Sequence, residues 1–360
     1  MTTLRAAVLA ALVATAVPFS LVANSSQPSK PSIGSAGQTV GQKDLIWWLP
    51  ADTESVVAAR GPFSIPNVEN ETSEKNGQAW FTKKTSQAEI RVELEELPLE
   101  LLYDLDLSKA LRGYTVAYAM QGSRHFREPN PGSEVTEYEG CSIVVFGRSL
   151  DGLENALVRI PDWKGASKGV ISGTQVLIRH EKSEEAEETY FIAFPKPNVL
   201  LIANNRKYLG EVLERMAQKK TSRALPDQLP EWKFLAANAR FWGLRHFDPT
   251  QAKTDPTSPL GGDSTYVQGD PKVIGVLFAL NPKSELSLAL ISFSSDEAKA
   301  RAEAGKGQVV AEPEDGVKYE VKLRNPAPGV LEQIYTLDRS STLDYCLLAI
   351  QSALGRGMSF

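Results

Sequence analysis

The sequence predicts an α+β protein made of two similar lobes of antiparallel sheet with helices on one face, the mark of an internal duplication. Three observations lead there. Short apolar runs alternate with turn residues, and most joins between them are too short for the helical crossover that parallel strands need. Each half carries two helical stretches, enough to cover one sheet face. The order of elements over 44–222 recurs over 223–360.

In the first half, strands are expected at 54–60, 114–120 and 142–147, with short helices over 88–111 broken at Pro98. A helix over 151–158 follows, with Ser149 or Asp151 as its cap. Meander strands at 175–179, 189–194 and 199–203 precede a helix over 207–218 that places Leu209, Val212, Leu213 and Met216 on one face. The second half reads as strands at 240–247, 273–280 and 286–293, a helix over 296–304, strands at 318–323 and 331–337, and a helix over 342–354. Its clearest local pairings with the first half are strand-to-helix joints, 145–151 against 291–296 and 202–206 against 335–339.

Ahead of both lobes, Arg5 precedes an uncharged apolar run over 6–23 that turns abruptly polar, with small residues at Ala23, Asn24 and Ser25. That order is a secretory signal peptide over 1–25, and the residues over 26–43 read as a flexible tether. The prediction is a secreted or periplasmic protein. The alternative is an uncleaved N-terminal anchor, since the run reaches the lower end of the roughly 17–25 residues that span a bilayer. No later stretch is apolar enough to span a membrane.

The chain has 360 residues, 39 Lys and Arg against 44 Asp and Glu, and a net charge of −5. Cations and anions are interleaved, so the basic stripe that phosphate neutralisation requires is missing, and a nucleic-acid partner is not expected. Cys141 and Cys346 are the two cysteines. Joined, they would close a loop of about 205 residues, worth roughly 5 kcal/mol in the chain-entropy model. Both sit in apolar runs, so buried free thiols explain them equally well.

At Trp47-Trp48-Leu49-Pro50-Ala51-Asp52-Thr53 the chain resembles exported bacterial proteins of unknown function whose mature part opens with a Leu-Pro-Ala-Asp-Thr phrase before a strand. The resemblance implies a similar order of strands and helices and transfers no activity. In physical terms, Pro50 stiffens the approach to the strand and Asp52 or Thr53 can cap a turn.

Candidate chemistry is sparse. His125 and His246 each lie in an Arg-His-Phe tripeptide at a strand end, with Arg245 beside the second, where an imidazole would act as acid or base and an arginine would hold an anion. Solvated strand ends account for the same residues. The loop over 248–270 carries Asp248, Asp255, Asp263 and Asp270 among Gly, Thr, Ser and Pro; it suits a partner or ligand contact and lacks the tight spacing of a calcium loop. Trp47 and Trp48 offer a sticky edge or, alternatively, core. Nucleophile elbows, zinc motifs and phosphate loops are absent from the sequence, so no catalytic residue, cofactor or metal is assigned. The expected function is a non-catalytic protein of the cell envelope that binds an envelope protein or a small ligand. The alternative is an extracytoplasmic hydrolase using carboxylate and histidine chemistry.

Overall fold

A strand buried on both faces needs a continuous apolar run, whereas one covered on a single face alternates. Val199–Ala203 is such a run, and every residue of it is buried. In the computed structural model, which describes residues 42–64, 99, 105, 107–125, 138–159, 163, 165–182, 187–218, 222–235, 239–246, 273–280, 287–294, 297–311 and 319–336, this strand lies between two apolar layers. The export segment, the tether as far as 41, the loop over 248–270 with its four aspartates, Cys346 and the expected helix over 342–354 fall outside the described residues. So does most of the stretch 88–111.

Among the described residues there are thirteen strands: β1 (Ser55–Ser64), β2 (Thr115–His125), β3 (Tyr138–Phe146), β4 (Ser167–Ile171), β5 (Thr174–Lys182), β6 (Glu187–Lys196), β7 (Val199–Ala203), β8 (Phe241–His246), β9 (Val273–Leu280), β10 (Ser287–Ser294), β11 (Gln308–Ala311), β12 (Tyr319–Ala327) and β13 (Val330–Thr336). They form one mostly antiparallel sheet in the order β11-β12-β13-β10-β9-β8-β1-β2-β3-β7-β6-β5-β4. The helices are α1 (Gln42–Trp48), α2 (Leu107–Ala110), α3 (Leu153–Leu157), α4 (Arg206–Ala217) and α5 (Glu297–Ala304), with a 3-10 turn at Pro230–Phe234. This is a mixed α/β class, and no helix among the described residues is long and apolar enough to cross a membrane.

The halves meet edge to edge. β1 and β8 pair from Ser55 opposite Arg245 to Ala59 opposite Phe241, a hydrogen-bonded seam. The segment that follows α4 packs on strands of the second half. Trp232 meets Trp242 edge-on at 5.7 Å, and Phe234 meets Phe293 at 5.4 Å.

Helices cover both faces of the first half, where the sequence reading has them on one. On the front face, α1 and α4 bury Leu45, Leu49, Tyr208, Leu209 and Val212 against Val56, Met120, Ile143, Val145 and Leu201. On the back face, α2, α3 and Trp163 pack on Val116, Val144, Phe146, Leu200 and Ile202. Neighbouring residues of β3 and β7 serve opposite layers, as the period of two requires. Asn205 caps α4, its side chain accepting from the backbone N–H of Lys207 and of Tyr208. Ser149 accepts from Asp151 N–H, while the residue ahead of α3 is Gly152 in the left-handed region.

Gly122 lets α1 approach β2. A Cβ there would lie 2.7 and 2.8 Å from the two methyls of fully buried Leu49 and 3.0 Å from the Tyr208 hydroxyl. Gly122→Val is therefore expected to lower the unfolding free energy by about 1–3 kcal/mol, as overpacking does. Denaturant titration checks this, and Leu49→Ala in the same chain should recover part of the loss.

Candidate functional site

Charged side chains gather at one end of the sheet on the front face, on the strand ends of β8, β1, β2 and β3. Register places Arg124 of β2 directly opposite Glu139 of β3, while His246 of β8 donates its backbone N–H to Glu54 at the start of β1. Arg124 is 2% exposed and every arm of its guanidinium is engaged. Nε pairs with Glu139, Nη1 donates to Asp52 at 2.5 Å and to Glu211 at 2.9 Å, and Nη2 donates to Glu211 at 2.9 Å. The guanidinium carbon also lies 5.0 Å from the Tyr208 ring centre. Burial alone would lower the Arg124 pKa, yet hydrogen bonds to Glu211 and Glu139 outweigh it and hold the group above the usual arginine value. Four of the five N–H donors of the Arg124 guanidinium are spent on these carboxylates. Its chemistry is that of a tie between the turn before β1, strands β2 and β3, and helix α4.

The phrase from Leu49 to Thr53 is explained by this tie. Asp52 reaches Arg124, and Thr53 shares a hydrogen bond of 2.8 Å with the Tyr208 hydroxyl. Thr53 N–H closes a turn onto the Pro50 carbonyl at 3.1 Å.

His246 stands at the other end of the same row. Its Nδ1 lies 2.7 Å from Glu231 Oε1, on the 3-10 turn that Pro230 opens. The Glu231 side chain is 0% exposed and the imidazole 36%. The bond from Nδ1 to Glu231 fixes the orientation of the imidazole ring. The second Glu231 oxygen, Oε2, is buried with no hydrogen-bond partner among the described residues, a condition that costs about 1–3 kcal/mol for an ordinary polar group.

The remaining candidates are placed as follows. Arg245 points to the back face, 1% exposed; its Nη2 donates to the Tyr138 hydroxyl at 3.4 Å and its guanidinium lies 5.9 Å from that ring. His125 ends β2, and its side chain lies outside the described residues, as do Asp248, Asp255, Asp263 and Asp270. Trp48 is buried with Lys196 Nζ 4.5 Å from its ring centre, and half-buried Trp47 packs on the same core, its carbonyl accepting from Arg215 Nε at 3.2 Å. His180 is exposed and paired across strands with Thr189, 3.0 Å from Nδ1 to Oγ1. Among the described residues no group of three His, Cys, Asp or Glu side chains is arranged to hold a metal.

A second feature lies at the far edge of the sheet, where sequence reasoning places no strand. β4 is the terminal strand, and the Ser172-Gly173 turn that joins it to β5 has both residues at positive φ, 45° and 77°. A groove of about 540 Å³ runs between this corner and α4, lined by Val170, Ile171 and Ser172 on one side and Arg206, Lys207, Gly210, Glu211 and Glu214 on the other. Glu211 serves Arg124, and Glu214 accepts from the Ser172 hydroxyl at 3.1 Å.

Two groups inside the front layer are neutral by burial. Desolvation pushes the Cys141 thiol well above its ordinary 9.0, and it likewise raises the Tyr208 phenol above its ordinary 10.0, opposed by the hydrogen bond to Thr53. Cys141 is a free thiol. The unfolded chain ionises these groups while the folded chain keeps their protons, so their contribution to stability is complete below about pH 8 and falls as pH rises through the unfolded thiol and phenol values. Denaturant titration between pH 8 and 11 should record that fall, with Cys141→Ala delaying its onset. Iodoacetamide should label Cys141 only when the chain unfolds.

Arg124→Met leaves nearly buried Glu139 without its cation. It is expected to cost about 3–5 kcal/mol of stability, as breaking a buried pair does. Adding Glu139→Gln should return a large part, which a double-mutant cycle by chemical denaturation would record.

No family model, no curated protein and no solved structure matches the chain.

Proposed function

We propose that this chain is an exported, non-catalytic protein of the cell envelope that binds a partner or ligand. The observation that carries the reading is the corner at the sheet's edge. Val170 there, 62% exposed, is the exposed large apolar side chain among the described residues, and it borders the groove over α4. The interior charges of Arg124 and its carboxylates support it too, because they are consumed in holding the layers together.

The two halves are read as an internal duplication. Counted outward from the seam, β1-β2-β3-β7-β6-β5 matches β8-β9-β10-β13-β12-β11, with a helix after β3 and another after β10. A scaffold that pairs two such halves through their first strands is long and presents outer strands far apart. Secretion rests on the signal-like segment over 1–25, and the likeness to exported proteins of the Leu-Pro-Ala-Asp-Thr phrase agrees with it.

One observation favours the hydrolase as a second reading: His246 Nδ1 held at 2.7 Å by a fully buried carboxylate, the arrangement that orients a general base. Cross-linking the tagged protein in its native envelope separates the two. A stoichiometric partner or retained ligand, captured equally by His246→Ala, is the expected result. A clean monomer whose hydrolytic activity toward a substrate panel is lost in both His246→Ala and Glu231→Gln, with unfolding unchanged, would replace binding by catalysis.

A further inference from the structure

We infer that the β4 edge is a docking site for an extended acidic peptide segment, which adds to the sheet as a further strand with its acidic end over the start of α4. The inference rests on the binding reading above and gives its partner a chemistry.

An outer strand exposes backbone groups that a partner strand can pair. In a two-residue hairpin the residues flanking the turn bond to each other, and the alternation of the antiparallel ladder follows from there. Ile171 faces Thr174 across the turn and Gly169 faces Val176, so the N–H and C=O of Lys168 and Val170 turn to the open side. Val170 adds an exposed apolar side chain at the same position.

The charge at this corner selects the occupant. Lys168 is paired with Glu154 of α3 at 2.6 Å and Glu211 with Arg124, while Glu214, farther along α4, accepts from the Ser172 hydroxyl and keeps its negative charge. Arg206 and Lys207 are exposed, border the groove, and form no ion pair among the described residues. Two cations outside any ion pair at the start of α4 complement carboxylates laid over that end, and they repel a basic segment. Lysine and the shortness of β4 are the usual guards against indiscriminate edge pairing. A docking segment is thus sorted by charge as well as by its capacity to extend.

A displayed library of random eight-residue peptides tests this against the full-length protein. Enrichment of extended, β-branched sequences with Asp or Glu clustered at one end is expected. Arg206→Glu with Lys207→Glu should weaken the best synthetic peptide at least tenfold, and Val170→Pro should abolish binding while the thermal unfolding midpoint stays put, since proline is tolerated on an outer strand whose N–H faces solvent. No enrichment, enrichment of basic or helical sequences, or undiminished binding by Val170→Pro would overturn the inference. If the library fails while envelope cross-linking still yields a stoichiometric partner, the docking site falls and the binding reading stands. Failure of both removes both.

Discussion

Four pieces of the first half meet at one guanidinium. Arg124 joins the turn that leads into β1, the paired strands β2 and β3, and helix α4, and all of these close the front layer over the same apolar residues. A buried arginine is costly to desolvate, so the site is stable only while its carboxylates stay in place. That requirement fixes more than an apolar contact would. Asp52 holds the turn after α1, Glu211 holds the angle of α4, and Tyr208, stacked beneath the cation, reaches Thr53. Apolar packing supplies the bulk of the layer, and the charged hub selects one arrangement of it.

Holding α4 has a consequence at the sheet's edge. The Ser172 hydroxyl lies 3.4 Å from the Gly210 carbonyl, so the helix that carries Glu211 toward Arg124 also forms one wall of the groove beside β4. The interior tie and the exposed corner are two sides of one helix. Asn205 caps its first turn, which carries the cations Arg206 and Lys207 and no acidic residue. Dynamics and function connect here: an edge positioned by a rigid helix can recognise a segment without rearranging.

Much of the fold was legible in the sequence where binary pattern and period agree. The continuous run of β7 and the amphipathic face of α4 are read directly, and so is the strand-to-helix order of each half. What escaped were strand ends and edges. Arg124 and Glu139 lie just beyond the expected strands at 114–120 and 142–147, because buried charges look like loop until their partners are known. β4 escaped because Ser-Lys-Gly-Val-Ile carries two apolar residues; Ser172-Gly173 after it was the available turn signal. Glu231 was invisible for a third reason, being brought to His246 by the segment between the halves, a pairing that only the fold creates. The tryptophans are packing: Trp48 in the front core, Trp232 against Trp242 of β8.

The central claim, that the outer edge of this sheet is where a partner docks, is tested most directly by placing a photo-reactive benzoylphenylalanine at Val170 and, as a control, at exposed Lys322 on β12, and irradiating the protein in its native envelope. The account predicts a discrete adduct from position 170 and none from 322. Equal labelling at both positions, or adducts from 322 alone, would contradict it.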